Sequence, residues 1–90
     1  MISIIIPVFN QLSYTQQCLK SLFENTSQIK SPFEVIVVDN GSNDGTKEYL
    51  TGLEQSGQIK AIYNKENQGY PKANNQAAEI AKGEYLCLLN

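Results

Sequence analysis

Residues 34–46 read EVIVVDNGSNDGT, and this stretch decides the fold. The apolar run at residues 35–38 is too short for a helix and has no polar face, which is typical of a strand covered on both sides. The run ends at Asp39, and residues 40–45 then favour a turn because they bond locally or tolerate positive φ. An acid at the carboxyl end of a buried parallel strand lies where open α/β sheets bind ligands. Asp39 is therefore a candidate ligand contact, and a turn with a helix cap is the simpler alternative.

The rest of the chain alternates between strands and helices around this stretch. The predicted strands lie at residues 2–8, 33–39, 59–63 and 85–89, and the predicted helices at residues 13–25, 46–56 and 73–81. This order, β-α-β-α-β-α-β, predicts an α/β fold with a doubly wound, mostly parallel sheet and right-handed crossovers. We expect the third strand at an edge of the sheet and the polar connection at residues 25–32 at the surface.

The helices carry their own start signals and apolar faces. Ser13, with Gln16 three positions later, forms a capping-box pattern that predicts the start of the first helix. Asp44 is expected to cap the second helix, because a carboxylate is favoured near a helix start. The side chains expected to face the sheet are Cys18, Leu19, Leu22 and Phe23 in the first helix, Thr46, Tyr49, Leu50 and Leu53 in the second, and Ala73, Ala77, Ile80 and Ala81 in the third.

Length and composition limit the class of protein. The chain has 90 residues, of which 41% are hydrophobic and 18% charged, which predicts one folded domain. Its basic residues are seven lysines spread along the chain, and the formal net charge is -2, so we expect no nucleic-acid partner. The start has no basic leader, and no apolar run reaches the about 20 residues of a membrane span. A soluble protein is expected.

Cysteine and histidine content bears on redox and metal chemistry. Cys18 and Cys87 lie far apart in apolar patterns and lack the spacing of a zinc or redox motif. We expect both to be buried free thiols, as in a reducing compartment. There is no histidine, so carboxylates and lysines are the remaining candidates for metal binding or base catalysis.

Three polar loops follow the first three predicted strands, at residues 7–13, 39–45 and 64–71. In a parallel sheet they share one rim, and a ligand would lie across it. The chain has no G-x-G-x-x-G after its first strand and no G-x-x-x-x-G-K-[ST], which argues against a dinucleotide or P-loop site. A response-regulator receiver would have an acidic pair after its first strand, where this chain has Asn10 and Gln11.

Three stretches carry a resemblance to a known family. IIPVFN at residues 5–10, VVDNGSNDGT at residues 37–46, and NQGY at residues 67–70 with ANN at residues 73–75 resemble the opening motifs of family 2 glycosyltransferases, in the same order and spacing. The resemblance covers nearly the whole chain. It implies a GT-A, Rossmann-like fold, of which this chain is the first half. It also implies inverting transfer of a sugar from a nucleotide-diphosphate donor to an acceptor hydroxyl in glycan or polysaccharide synthesis.

The same resemblance implies a set of donor-binding residues. Asp39 would accept a hydrogen bond from the pyrimidine ring, and such a bond is worth about 1.5 to 3 kcal/mol. The implied contacts are Pro7, Val8, Phe9 and Asn10 in the nucleoside pocket, Gly41 and Ser42 beside Asp39, and Asn67, Gly69 and Asn75 at the ribose and diphosphate. Phe9 stands where tyrosine is commoner in the family, and it can still pack on a base.

Relatives place an acidic metal-binding motif directly after sequences like residues 88–90, and their catalytic base lies further on. We therefore expect this chain to be a truncated, donor-binding domain without catalytic or metal residues, inactive alone. A divalent cation, Mg or Mn, is expected in the full-length enzyme. Apolar surface left open by truncation predicts a homo-oligomer. The family implies a cytoplasmic location, with the intact enzyme at the inner face of a membrane.

Two other functions remain open on sequence grounds. The first is a non-catalytic nucleotide-binding or interaction module, because one fold hosts many functions. The second is a nucleotidyltransferase, which shares the α/β layout. That class usually has a Gly-rich loop with basic residues after the first strand, whereas residues 10–13 read NQLS.

Overall fold

The fold is an α/β layer in which every crossover between consecutive strands contains a helix, as the sequence predicts. The computed structural model describes residues 1–26 and 32–89. The elements are β1 (Ile2–Val8), α1 (Leu12–Thr26), β2 (Phe33–Asp39), α2 (Thr46–Gln55), β3 (Lys60–Tyr63), α3 (Tyr70–Ile80) and β4 (Tyr85–Leu88). Most of the predicted surface connection at residues 25–32 lies outside the described residues.

The sheet is parallel, and its strand order is β3-β2-β1-β4. β1 and β2 pair from Ile2 with Phe33 to Val8 with Asp39, which places them at the centre. β3 lies at an edge, as predicted. The chain steps from β1 to β2 and β3 and then returns to the other side of β1 as β4. The strand order therefore reverses between β1 and β4, which is where doubly wound sheets leave a crevice.

Side chains of the central strands point alternately to two cores. Ile4, Ile6 and Val8 of β1 pack in one core with Leu19 of α1 and Leu50 of α2. The opposite core contains Ile5, Ile36 and Val38 with Ala73 and Ala77 of α3. The small side chains of α3 let this helix lie close to the sheet. α1 and α2 thus cover one face and α3 the other, which completes the doubly wound arrangement.

Several local expectations differ from the structure. α1 begins at Leu12, so Ser13 lies inside its first turn and does not cap it. α3 begins at Tyr70, inside the predicted loop, because Gly69 adopts φ 81 at its N-cap and Pro71 is tolerated in a first turn. Ile80 is 43% exposed and does not face the sheet. The end of α2 is as predicted: the amides of residues 57 and 58 bond back to carbonyls 54 and 53, with φ 82 at Gly57.

β4 is the second edge of the sheet, and all four of its residues are exposed. Tyr85, Leu86 and Leu88 are 69%, 50% and 52% exposed. Cys87 is also exposed and Cys18 only half-buried, so the expectation of two buried thiols is wrong. An apolar strand sequence does not distinguish a central strand from an edge strand with nothing beside it. None of the helices in residues 1–26 and 32–89 combines the length and the hydropathy that a membrane span requires.

A polar cluster holds β4 at the amino ends of the strands. Glu34 accepts hydrogen bonds from Ser3 Oγ at 2.6 Å, Lys60 Nζ at 2.7 Å and the Lys82 amide at 2.6 Å. The Gly83 amide donates to Ser3 Oγ at 2.9 Å. Burial alone would raise the pKa of Glu34. The hydrogen bonds and the charge of Lys60 outweigh it and lower this pKa from 4.5 to about 2.

Replacing Glu34 with Gln is expected to lower the free energy of unfolding by about 1.5 kcal/mol at pH 7. The pKa shift corresponds to at most about 3 kcal/mol, and we halve this because solvent screens the 43% exposed Lys60. The pKa is depressed in the folded state, so the contribution is complete above pH 4.5 and is lost as the pH falls toward 2. Urea unfolding at pH 7 and pH 3 should show the gap between wild type and Glu34→Gln closing. The exposed Glu79→Gln serves as control, and a gap that stays constant with pH contradicts the assignment.

Candidate functional site

The loops after β1, β2 and β3 lie side by side at the carboxyl ends of these strands, which we call the carboxyl rim. The Asn40 amide bonds to the Val8 carbonyl at 2.8 Å, and the Asn64 amide bonds to the Asp39 carbonyl at 2.8 Å. These two bonds continue the ladders one step beyond the strands. The three polar loops therefore begin at one level of the sheet, as the sequence predicts.

Asp39 ends β2 and is only 2% exposed. Its Oδ1 accepts the Ser42 amide at 3.0 Å, so the loop supplies the backbone partner that a buried carboxylate needs. Among the described residues, this amide is the single donor to the carboxylate. Oδ2 thus retains its capacity to accept a hydrogen bond. The Ser42 amide thus fixes the Asp39 carboxylate, which can accept a hydrogen bond from one further donor.

The turn between β1 and α1 has an uncommon backbone. Asn10 and Gln11 are the two non-glycine residues with positive φ among those described, at 52° and 59°. The Asn10 amide donates to Ser42 Oγ at 2.7 Å, and Asn10 Oδ1 accepts the Asn43 amide at 2.9 Å. This turn is therefore bound to the loop after β2.

Asp44 joins the starts of two helices. Its Oδ2 accepts the Leu12 amide at 3.0 Å at the start of α1. Its Oδ1 accepts the Thr46 hydroxyl at 2.6 Å and the Thr46 amide at 3.2 Å at the start of α2. The Thr46 hydroxyl lowers the pKa of Asp44 from its ordinary value, desolvation opposes this, and the amides of Leu12 and Thr46 reinforce it. Gly45, not Asp44, is the N-cap residue of α2, so the predicted cap is one residue off, although Asp44 does bond to the first residue of the helix. The bond to α1 explains why Ser13 does not cap that helix.

Asn40 holds the loops after β2 and β3 together. It is 1% exposed, and its Oδ1 accepts Asn64 Nδ2 at 3.0 Å and the Gln68 amide at 3.2 Å. Its Nδ2 donates to the Gly69 carbonyl at 3.3 Å. Asn64 also exchanges two hydrogen bonds with Gln76 of α3, at 2.8 and 3.0 Å. The side-chain amide of Asn40 thus anchors the loop from residue 64 to residue 69.

Gly41 permits a close approach of the same two loops. Its φ is 87°, and a Cβ at this position would lie 3.1 Å from backbone atoms of Lys65 and Glu66. Both the backbone conformation and the space therefore require glycine. This gives Gly41 a structural role in bringing the loops together.

A cleft of about 200 Å³ opens beside the carboxyl end of β1. Phe9 at its mouth is 42% exposed, Tyr14 of α1 is 64% exposed and Tyr70 of α3 is 52% exposed. The half-buried Cys18 also lines it. The cleft thus lies between the carboxyl end of β1 and α1, and its aromatic side chains border an opening that a planar ring could enter. Asp39 is not among the residues that line it.

The structure brings most of the sequence-predicted site residues to the carboxyl rim. Pro7 and Val8 end β1 as buried residues, with the Val8 side chain in the core. Asn67 Oδ1 accepts the Gly69 amide at 2.8 Å and so shapes its own turn. Asn75 is exposed on α3, and no contact in the described part of the chain joins it to the others. Asn10, Ser42 and Asp39 form the connected part of the set, because Ser42 bonds to both of the others. Phe9 directly precedes Asn10 and lines the cleft, and Gly41 lies against the loop after β3.

Sequence reasoning missed several residues that shape this site. Asn40, Asn64 and Gln76 form the network between loops, and Tyr14 and Tyr70 border the cleft. The sequence offered two signals for the network: Asn40 directly follows the buried Asp39, and Asn64 directly follows β3. No local pattern marks the partners, because Asn40 and Asn64 lie 24 positions apart in sequence and Asn64 and Gln76 lie 12 positions apart.

The described residues do not form a metal-binding cluster. Residues 1–26 and 32–89 contain no group of three or more His, Cys, Asp or Glu side chains that could hold one. The carboxylates of Asp39 and Asp44 are engaged by backbone amides instead. These donor sets do not fit a divalent cation.

Comparisons with known proteins agree on one family. The family model described as glycosyl transferase family 2 matches residues 3–90. The glycosyltransferase AglE of Haloferax volcanii is 38% identical over 90 residues, covering 99% of this chain and 29% of that protein. The putative teichuronic acid biosynthesis glycosyltransferase TuaG of Bacillus subtilis is 33% identical over 91 residues, covering 100% of this chain and 35% of that protein.

Solved structures are similar as well. The mannosyltransferase PcManGT of Pyrobaculum calidifontis, in complex with GDP-Man and Mn2+, has a TM-score of 0.78 and 25% identity, covering 94% of this chain and 25% of that one. S. aureus TarS 1-349 in complex with UDP-GlcNAc has a TM-score of 0.78 and 30% identity, covering 98% of this chain and 25% of that one. The chain spans between 12% and 35% of the length of the curated relatives it matches.

Proposed function

Because this chain belongs to glycosyl transferase family 2, we propose that it is the donor-binding domain of an inverting, GT-A glycosyltransferase. It binds the nucleotide of a nucleotide-diphosphate sugar at the carboxyl rim. The whole enzyme transfers the sugar to an acceptor hydroxyl in glycan or polysaccharide synthesis. The observation that carries the proposal is Asp39, a buried carboxylate with one oxygen held by the Ser42 amide and the other without a donor among the described residues.

In the proposed complex, Asp39 Oδ2 accepts a hydrogen bond from a ring N–H of the base. Hydrogen bonds to a charged acceptor are strong, and this one forms at the end of a buried strand where water competes poorly. Phe9, 42% exposed at the mouth of the cleft, packs on the face of the base. Gly41 and Ser42 hold the loop that orients Asp39, and Asn67 and Gly69 form the neighbouring loop toward the ribose and diphosphate.

The catalytic step belongs to the whole enzyme, and none of its groups is assigned to this chain. Deprotonation of the acceptor hydroxyl needs a base, and the leaving diphosphate needs a counter-charge. We include a divalent cation in the proposal for the intact enzyme, supported by the Mn2+ in PcManGT. No step proposed for this chain passes through it, because the described residues do not fit a metal ion. A cytoplasmic location of the enzyme, at the inner face of a membrane, rests on the family resemblance alone.

Calorimetric titration of this chain with UDP, TDP, GDP and CDP tests the donor-binding function. Uracil, thymine and guanine present a ring N–H that a carboxylate can accept, whereas the corresponding ring nitrogen of cytosine is itself an acceptor. We expect saturable binding of UDP and TDP and weaker binding of CDP. The GDP titration shows whether the cleft also admits a purine. No saturable binding of any nucleotide contradicts the proposal and favours a non-catalytic interaction module.

We further propose that a second copy of this chain pairs with the exposed edge of β4. Tyr85, Leu86 and Leu88 expose apolar surface there, and no lysine or proline interrupts the strand. Sedimentation at tens of micromolar should detect a dimer, and Leu86→Lys should convert it to monomer. Ile80→Lys, at a 43% exposed apolar position on α3, is the matched control and should leave the dimer intact. A wild-type chain that sediments only as monomer contradicts this proposal.

A further inference from the structure

The turn before α1 needs outside support to keep its shape. Asn10 and Gln11 both have positive φ, which disfavours residues that carry a Cβ. Asn tolerates this region because its side chain can bond locally, but Gln has no such advantage. Left alone, the turn would populate other conformations, and Phe9 directly before it would move with them.

The support comes from three consecutive residues of the loop after β2. Ser42 Oγ accepts the Asn10 amide at 2.7 Å, and the Asn43 amide donates to Asn10 Oδ1 at 2.9 Å. Asp44 Oδ2 accepts the Leu12 amide at 3.0 Å. These bonds lie on both sides of Gln11. The bond from Asp44 is the one made by a charged acceptor, and such bonds are about twice as strong as neutral ones.

Asp44 is itself fixed by its other oxygen. Oδ1 accepts both the hydroxyl and the amide of Thr46, which is fully buried at the start of α2. The carboxylate therefore bonds to the starts of both helices, and its Leu12 bond uses the oxygen that Thr46 does not contact. Ser42 in the same loop also donates its amide to Asp39. The loop after β2 thus bonds both to the Asp39 carboxylate and to the turn that lines the cleft.

We propose that Asp44 is a positioning residue for nucleotide binding: it holds the left-handed turn at residues 10 and 11, and through it Phe9 and Asn10, in register with Asp39. This inference rests on the proposed function, since the affected ligand is the donor nucleotide. Asp44 does not itself contact the nucleotide in this arrangement. The alternative is that Asp44 only stabilises the start of α2 through Thr46.

A glycine suppressor separates these two roles. Asp44→Ala is expected to weaken UDP binding by about tenfold, the loss of one charge-assisted hydrogen bond. Adding Gln11→Gly should restore most of this affinity, because glycine adopts positive φ without a Cβ clash. Adding Gln11→Ala removes the same side chain but keeps the Cβ, so it should restore none. Equal affinity of Asp44→Ala and wild type, or failure of Gln11→Gly to improve on Gln11→Ala, overturns the proposal.

Thr46→Val is the control for the start of α2. It removes the hydroxyl bond to Asp44 and leaves the Leu12 amide bond in place, so it should lower the melting temperature without weakening UDP binding. If Thr46→Val weakens binding as much as Asp44→Ala, the effect passes through α2 and the proposal is wrong.

Amide hydrogen exchange makes the test independent of any ligand. The Asn10 and Asn43 amides should exchange faster in Asp44→Ala than in wild type, and slow again with Gln11→Gly but not with Gln11→Ala. If wild type binds no nucleotide, the donor-binding function fails while the exchange pattern still decides whether Asp44 holds the turn. Unchanged exchange in Asp44→Ala overturns the positioning role even where UDP binds.

Discussion

Replacing Asp39 with Ala is expected to weaken UDP binding by about 10- to 150-fold, which corresponds to about 1.5 to 3 kcal/mol for a hydrogen bond to a charged group. Asp39 is 2% exposed, so no bulk water can take over the role of its carboxylate on the base. Removing a negative charge should by itself favour an anionic ligand, so a loss of affinity runs against the electrostatic trend. Calorimetry with UDP and with uridine measures the change, and a base contact predicts the same factor for both.

Asp39→Asn separates the ligand role from the structural one. Its amide oxygen can still accept the Ser42 amide, so the loop and the stability should persist. Its NH2 group would then face the ring N–H of the base, and UDP binding should fall nearly as far as in Asp39→Ala. Glu48→Ala removes the same charge at an exposed position of α2 and should leave the affinity unchanged. A variant Asp39→Ala that binds UDP as wild type does would make this acid purely structural.

The fold could be predicted because its signals are local and repeated. Short apolar runs such as residues 35–38 and helical spacing such as Leu19, Leu22 and Phe23 require only neighbouring residues to be read. Right-handed crossovers then leave few topologies for such an alternation. Whether a side chain is buried depends on which other elements pack against its own strand or helix, and the local sequence does not show this. Cys87 and Ile80 look like core residues in their elements and are exposed, because β4 is an edge and α3 packs through its alanines.

The candidate site could be predicted only in part. Asp39 at the end of β2 follows from the strand and turn pattern alone. The positive φ of Gln11 and the start of α1 do not, because both depend on Asp44, which lies 32 positions from Leu12. The capping-box pattern at Ser13 does not set the helix start. The distant carboxylate of Asp44 accepts the Leu12 amide instead, and α1 begins one residue earlier. Contacts between loops that are far apart in sequence decide the geometry of the site.

Replacing Asn40 with Ala is expected to lower the free energy of unfolding by about 2 to 4 kcal/mol, the largest stability effect of a polar substitution at the rim. The change removes three hydrogen bonds at once and leaves the Gln68 amide and the Gly69 carbonyl without their partner. It also opens a small cavity at a 1% exposed position. Urea unfolding measures the loss, and amide exchange at Gln68 should rise because the loop after β3 is released.

Asn43→Ala is the matched control, since it removes the same side chain three residues later in the same loop. The bond from Asn43 to Asn10 uses the Asn43 backbone amide, which alanine keeps, so stability should change by less than about 0.5 kcal/mol. Asn40→Asp adds a further distinction. An aspartate can still accept from Asn64 and Gln68, but it replaces the donor to the Gly69 carbonyl with an acceptor and buries a charge. Asn40→Asp should therefore be at least as destabilising as Asn40→Ala. If Asn40→Asp is as stable as wild type, the bond from Asn40 to the Gly69 carbonyl does not hold the loop.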